Sequence, residues 1–330
     1  MKIKRVWGVF LGSLVLLLPV RLCQQIFLVD RSTGFYTDKG VTSIGITAVL
    51  AVAVLLILLM TSRAKDHPTG EAPFIRSGGA AVMAMFCGFM FLGEGIYSLL
   101  AQPAIENTAI NAVLSVVGML AGSTVLLTAY DLATGMNHLD QSPFLGLFPP
   151  LWGCVCLVGM FITYTAVVNA VENFYDTCTV IFLLLFLFSF SKYMAGLEGC
   201  RKLFIYGFPG VLLALLTGLP SFVLTLMGAD LSSAFPVSLH LLNLVIALYV
   251  LSLLVCVYRH EMKKSGSPVL NGQGPVPMEQ KPSEGTEPAG EIPSFSWSRE
   301  DEEKCRTVLE GLKGKEVFRE KEKSPYDENF

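Results

Sequence analysis

Charge is scarce along most of this chain. Of its 51 Lys, Arg, Asp and Glu residues, 26 lie in the last 70 of 330 positions, which leaves 25 for the first 260. A soluble fold of that length needs more charged surface, and 52% hydrophobic content points the same way. The net charge of −3 divides into 13 basic against 12 acidic groups in residues 1–260, and 11 against 15 beyond. Neither part is basic enough for nucleic acid, and no Arg-rich groove or aromatic platform argues for it.

Catalytic signatures are missing as well. The chain has no H-E-x-x-H, no G-x-S-x-G, no G-x-x-x-x-G-K-[ST] and no G-x-G-x-x-G after a strand. Paired-aspartate intramembrane proteolysis needs two deep aspartates on adjacent spans, and Asp131 has no such companion. The eight cysteines (Cys23, Cys87, Cys154, Cys156, Cys178, Cys200, Cys256 and Cys305) contain no C-x-x-C. Cys154 and Cys156, two apart, point to different faces of a helix. We read the cysteines as small apolar packing residues. His67, His138 and His260 make no ligand spacing together, so neither a metal nor a cofactor is expected. Lys2, Lys4 and Arg5 precede an apolar run like a secretion signal, but no small-x-small site follows. Val20-Arg21-Leu22 before Cys23 also lacks a lipoprotein signal's small residue, so the segment is read as an uncleaved span.

Long apolar runs are what the chain has. A hydrocarbon core of about 30 Å takes roughly 20 helical residues, and eight runs qualify: 6–29, 41–62, 78–101, 111–135, 144–168, 174–196, 203–228 and 236–258. A lone segment in lipid must pair its own backbone, so these are helices, and the alternation of a membrane barrel is absent. Lys2, Lys4, Arg5, Arg63, Lys65, Arg76, Arg201, Lys202, Arg259, Lys263 and Lys264 all fall on one side of such a bundle. The other side receives Arg31 and Lys39, while residues 102–110, 169–173 and 229–235 hold no Lys or Arg. The positive-inside rule then puts both termini in the cytoplasm. Loop 136–143 contributes no basic residue to the inner side, and a six-span reading with 111–168 miscounted keeps the same ends.

The loops are too short for a folded domain between spans. Pro19, Pro149, Pro150, Pro209 and Pro220 lie in or at the edges of spans, where kinks are tolerated. Gly88, Gly93 and Gly95 read as helix-packing surfaces. No duplication of spans one to four in five to eight is visible, nor an inverted repeat. From Glu261 onward, seven of the 17 prolines sit among Gly, Ser and Glu, the composition of a disordered tail. Within it, residues 299–321 read as solvated disorder, with a docking helix carrying Val308, Leu309, Leu312 and Phe318 as the alternative.

A charged group near the bilayer centre costs about 2.5–3.5 kcal/mol on insertion scales, so intramembrane charges mark candidate sites. Arg21 and Glu94 lie 15 and 16 positions into outward-running spans. At about 1.5 Å per residue they reach similar depth in the outer third. Our expectation is an interhelical ion pair completed by Gln24, Gln25 and Tyr97. The alternative is that Arg21 snorkels and Glu94 is protonated or wet. Asp131 and Lys192, near inner span ends, are a second possible pair, with Lys192 reaching the headgroups as the other reading. His240 and Asn243 begin the eighth span from outside, and a structural, hydrogen-bonded role is expected for His240.

Two sets of residues, Pro19-Val20-Arg21 with Gln24-Gln25, Asp30 and Thr33-Gly34-Phe35-Tyr36, and Tyr193-Met194-Ala195-Gly196-Leu197-Glu198 with Arg201-Lys202, resemble stretches of uncharacterised multi-pass membrane proteins from clostridial, gut-type anaerobes. The resemblance covers the membrane body and not the tail. It implies a bacterial plasma membrane, and nothing catalytic carries over with it.

The reading is an all-α polytopic bundle of about eight spans over residues 1–260, with a disordered cytoplasmic tail over 261–330. Its surroundings are the lipid bilayer, with a cytoplasmic protein as possible partner of the tail. Two functions fit: a non-enzymatic sensor, scaffold or assembly partner, or a permease-like transporter of a small solute with its polar site near Arg21 and Glu94.

Overall fold

The computed structural model describes residues 3–28, 36–38, 40–63, 73, 75–101, 103–105, 107–163, 170–227 and 236–266. Residues 267–330, and with them the expected disordered tail and the segment 299–321, lie outside the described residues. Helices run over Ile3–Phe27 (α1), Val41–Ser62 (α2), Gly78–Leu100 (α3) and Thr108–Thr134 (α4). They continue as His138–Gln141 (α5), Phe148–Thr163 (α6), Ala170–Met194 (α7), Arg201–Leu226 (α8) and Val237–Gly266 (α9). A 3-10 turn, Pro143–Leu147, leads into α6. Among the described residues there is no strand, and eight helices are long and apolar enough to cross a bilayer. The chain is an integral, multi-pass membrane protein built as an all-α helix bundle.

Local chemistry fixes the helix ends. Asp38 holds the start of α2, its carboxylate accepting from Gly40 N at 3.0 Å, Thr42 N at 2.8 Å and the Thr42 hydroxyl. Ser77 and Asn107 cap α3 and α4, accepting from first-turn amides left without helical partners. Gly135 ends α4 with φ 84°, a left-handed conformation that glycine adopts without the clash a Cβ would bring. Pro149 and Pro150 sit in the first turn of α6, where a missing N–H costs no helical bond. Pro19, Pro209 and Pro220 are inside α1 and α8.

The spans agree with the expected positions to within a few residues, with three differences. Residues 138–147 are helical and not a plain loop, because Asn137 and Pro143 start two short turns there. Helix α6 ends at Thr163, and residues 164–168 of the expected fifth span lie outside the described residues. Helix α9 continues past Arg259 to Gly266, so the expected boundary at 260 falls inside a helix.

Helices α3, α4, α6, α7, α8 and α9 pack in sequence around a ring, each touching the next, and α9 closes back on α3. Helices α1 and α2 pack on each other and on α8. Helix α8 is the most enclosed, with Phe204, Phe208, Val211, Leu212 and Ala214 fully covered. On α1 the outward side is apolar too: Val15 is 73% exposed and Leu16 62%. In water that would be a defect, whereas in lipid it is the solvated face. The closest backbone approach is between α3 and α4. A Cβ on Gly122 would stand 2.9 Å from the Gly88 carbonyl oxygen, and one on Gly95 would stand 2.9 Å from the Ser115 oxygen. Gly88 and Gly95 are thus packing glycines. Gly93, expected to be a third, faces open space.

Arg76, Leu132, Asn137, Met194 and Arg259 gather at one end of the bundle, tied by Ser77 N donating to Leu132 O (2.9 Å) and Asn137 Nδ2 donating to Met194 O (2.7 Å). We call this the basic end. Tyr36, Gln24, Tyr175 and His240 belong to the opposite end.

Candidate functional site

At the opposite end, polar side chains from several helices converge one to two turns below the surface. Arg21 is 1% exposed although it carries a full charge. Its Nη1 donates to Gln24 Oε1 at 2.5 Å and to the Tyr36 hydroxyl at 3.3 Å, and its guanidinium carbon stands 5.0 Å from the centroid of the Tyr175 ring. Gln25 Nε2 donates to the same Tyr36 oxygen at 3.2 Å. A cation over an aromatic face is worth about 2 kcal/mol when desolvated, a substantial gain for an ion removed from water.

Tyr175 links this cluster to α2. Thr47 Oγ1 donates to Ser43 O at 2.7 Å, so its single proton is committed. The 2.5 Å contact between Thr47 Oγ1 and the Tyr175 hydroxyl is therefore donated by the tyrosine. The next residue, Asp176, is 3% exposed, and its Oδ1 stands 3.7 Å from His240 Nδ1 at the start of α9. That separation is an electrostatic contact and not a hydrogen bond. Asn243, one turn further along α9, is 3% exposed, and its Oδ1 is buried without a partner. Gln24 Nε2, Ser43 Oγ and Asn173 Oδ1 share that state. Buried polar atoms of this kind call for a water or a ligand.

The expected Arg21–Glu94 ion pair is not made. Glu94 instead accepts from Ser238 Oγ at 2.9 Å. The expectation rested on depth alone, and depth says nothing about direction around the bundle: α1 packs on α2 and α8, and α3 on α4 and α9. Beside Glu94 lies a cavity of about 10 Å³ lined by Ser98, Gly118, Trp152 and Leu242, room for roughly one water. Tyr97 is 48% exposed, one turn beyond Glu94.

The possible Asp131–Lys192 pair is likewise replaced. Asp131 is fully buried, accepting from His138 N at 2.9 Å and meeting His138 Nδ1 at 2.5 Å. Lys192 lies 4.4 Å from the Phe188 ring centroid and donates to Glu198 at 3.1 Å. Lys202 donates to the same oxygen at 2.8 Å. Burial alone would raise the Glu198 carboxyl, but the hydrogen bonds from Lys202 and Lys192 outweigh it and hold it below its ordinary value.

Sequence reasoning singled out Arg21, Gln24, Gln25, His240 and Asn243, and the structure gathers them at one end. It missed Tyr36, Thr47, Tyr175, Asp176 and Ser238. Asp176 stood third in the expected span 174–196, where an end position gave it no weight; α7 in fact begins at Ala170, which carries Asp176 a further turn inward. The assembled layer offers a cation, a carboxylate and an imidazole in a medium of low dielectric. Such a set can hold a small charged solute or move a proton between Asp176 and His240. Among the described residues no group of three or more His, Cys, Asp and Glu side chains is placed to hold a metal ion. No protein family, no curated protein and no solved structure matches this chain.

Proposed function

We propose that the protein is a non-enzymatic sensor or assembly protein of a bacterial plasma membrane, with both termini in the cytoplasm. Its outer-half polar layer is the receiving element, and residues 267–330 are its cytoplasmic contact. The observation that carries this reading is the one-sided placement of the buried charges that hold no backbone turn, since buried Asp131 at the basic end is committed to the His138 amide. Arg21, Asp176 and His240 all sit near the opposite end. Toward the basic end the space between α1, α8 and α9 is filled by Trp7, Phe10, Phe208 and Tyr258, with ring centroids 5.0–6.3 Å apart. A polar layer above an apolar plug suits reception at one face. A transporter needs polar positions along a path to both faces. The orientation rests on the cationic flanks, and the bacterial membrane on the resemblance of residues 19–36 and 193–202 to clostridial proteins.

A permease is the second reading, supported by Glu94 with its Ser238 hydrogen bond and the water-sized space beside it. Thiol labelling separates the two. Glu94→Cys and Tyr97→Cys, in a background with the native cysteines replaced, are treated with a membrane-impermeant maleimide from each face. The sensor reading expects labelling from outside alone. Labelling of position 94 from the cytoplasm, in any condition, replaces it with the permease. A reporter fused after Lys264 is expected to be active inside the cell, and outside activity would overturn the orientation.

A further inference from the structure

A cavity of about 910 Å³ lies at the basic end, between the start of α3 and the last turns of α9. Its walls are apolar, with Ala80 and Met83 on α3 facing Leu251 and Val255 on α9. At its mouth stand Arg76 and Arg259, both exposed. Among the described residues neither arginine makes an ion pair, and the neighbouring acid, Glu261, stands 3.8 Å from His260 Nδ1. The groove therefore presents two uncompensated guanidinium groups above a hydrocarbon channel.

The length of that channel selects its occupant. It reaches from Arg259 back to Leu248, a distance of about 16 Å along the helix. Half of a roughly 30 Å hydrocarbon core is nearly the same, so the channel spans one leaflet. A free anion would use the arginines and leave the channel empty. A neutral acyl chain would fill the channel and leave the arginines unmatched. Guanidinium forks bind phosphate oxygens in pairs, and cavities of this size are typical of ligand sites.

We propose that this groove is a binding site for an anionic phospholipid, one acyl chain lying between α3 and α9 and the phosphate held by Arg76 and Arg259. Basic pockets between membrane helices bind lipid headgroups by this chemistry. The site is separate from the polar layer at the other end, so it stands whether the protein senses or transports.

The test uses the purified full-length chain in dodecyl maltoside micelles. It is titrated with dioleoylphosphatidylglycerol, with dioleoylphosphatidylcholine and with inorganic phosphate. Bound lipid is counted by native mass spectrometry and stability is followed as Tm. Phosphatidylglycerol is expected to stay bound and raise the Tm, with phosphatidylcholine far weaker and phosphate without effect. The double variant R76Q/R259Q should bind phosphatidylglycerol roughly 30-fold more weakly and leave phosphatidylcholine unchanged. Gly79→Phe probes the channel with both arginines kept. Gly79 lines the cavity and a Cβ there meets no atom within 4 Å, so the ring has room to occupy the lipid's place. This variant should lose the bound lipid. Equal retention of the two lipids overturns the proposal, as does unimpaired lipid binding by Gly79→Phe. A Tm rise with phosphate matching that with phosphatidylglycerol makes it a free-anion site and overturns the lipid. If R76Q/R259Q fails to fold, the wild-type lipid comparison and Gly79→Phe still decide.

Discussion

The two ends of the bundle bury polar groups in different ways. At the basic end they are committed to backbone: Asp131 holds the His138 amide, Asn137 the Met194 carbonyl and Ser191 the Gly146 carbonyl. Each closes a turn or ties a loop to a helix, work that any membrane fold must do where its chain reverses. At the opposite end Asn111 does the same for the α3–α4 connection, accepting from Ala104 N and Ile105 N, but a further set of contacts runs between side chains. Arg21 meets Gln24, Tyr36 and the Tyr175 ring, Asp176 meets His240, and Glu94 meets Ser238. Of these partners only Tyr36 lies outside the helices, and the others join helix to helix or lie within one. An ion sunk in a membrane protein without a backbone task is expensive to keep, and that cost points to function.

If the contrast holds, one aspartate is structural and the other is not. Asp131→Leu takes from the half-buried His138 amide and ring nitrogen their shared acceptor, and should cost about 3 kcal/mol. Unfolding in mixed micelles titrated with dodecyl sulfate would measure it. Asp131→Asn keeps an acceptor for the amide and should recover most of the loss. Asp176→Asn should cost no more than about 1 kcal/mol, because its contact with His240, at 3.7 Å, is not a hydrogen bond. Its expected effect is on whatever response the protein transmits. Reversed costs for Asp131→Leu and Asp176→Asn would break the comparison.

The polar layer can be divided further at Tyr175. Tyr175→Leu removes the aromatic face below Arg21 together with the hydroxyl that bonds Thr47, and should cost about 3 kcal/mol. Tyr175→Phe keeps the face and loses only the hydroxyl, for about 1 kcal/mol. Equal losses in the two variants would mean that the ring does nothing for the cation, and the account of how Arg21 is kept buried would fail.

How much of this was readable beforehand follows from what each signal depends on. Span length and hydropathy depend on composition along the chain, so the eight crossings and the all-α class were legible. Arg21 was legible as a charge within an apolar run. Its partner was not. Glu94 matched it in depth, but packing decides azimuth, and nothing in a uniformly apolar α1 and α3 marks which side meets which neighbour. Lipid-facing Val15 and core-facing Phe10 are equally apolar, so the usual inside-outside pattern carries little information. Asp176 was obscured by its place near a span end, beside the polar Asn173. The groove at α3 and α9 is a gap between elements, and gaps have no sequence signature.

The smallest effect expected concerns Glu198, where the basic end is most exposed to water. Its carboxyl lies below its ordinary value because Lys202 and Lys192 both donate to it, against the opposing influence of burial. A carboxylate with a depressed folded pKa adds stability that is fully present above the unfolded value, about 4.3. That contribution disappears as pH falls from there through the lower folded value. The size should stay under about 1 kcal/mol, since both lysines reach solvent and salt screens the pairs. Thermal midpoints of the wild type and Glu198→Gln, followed from pH 6 to pH 3, should therefore converge as the solution is acidified. Added salt should narrow their separation at the upper end of that range. A separation that widens on acidification would show that Glu198 gains nothing from its lysines. The basic end would then owe its order to the backbone contacts of Asp131, Asn137 and Ser191 alone.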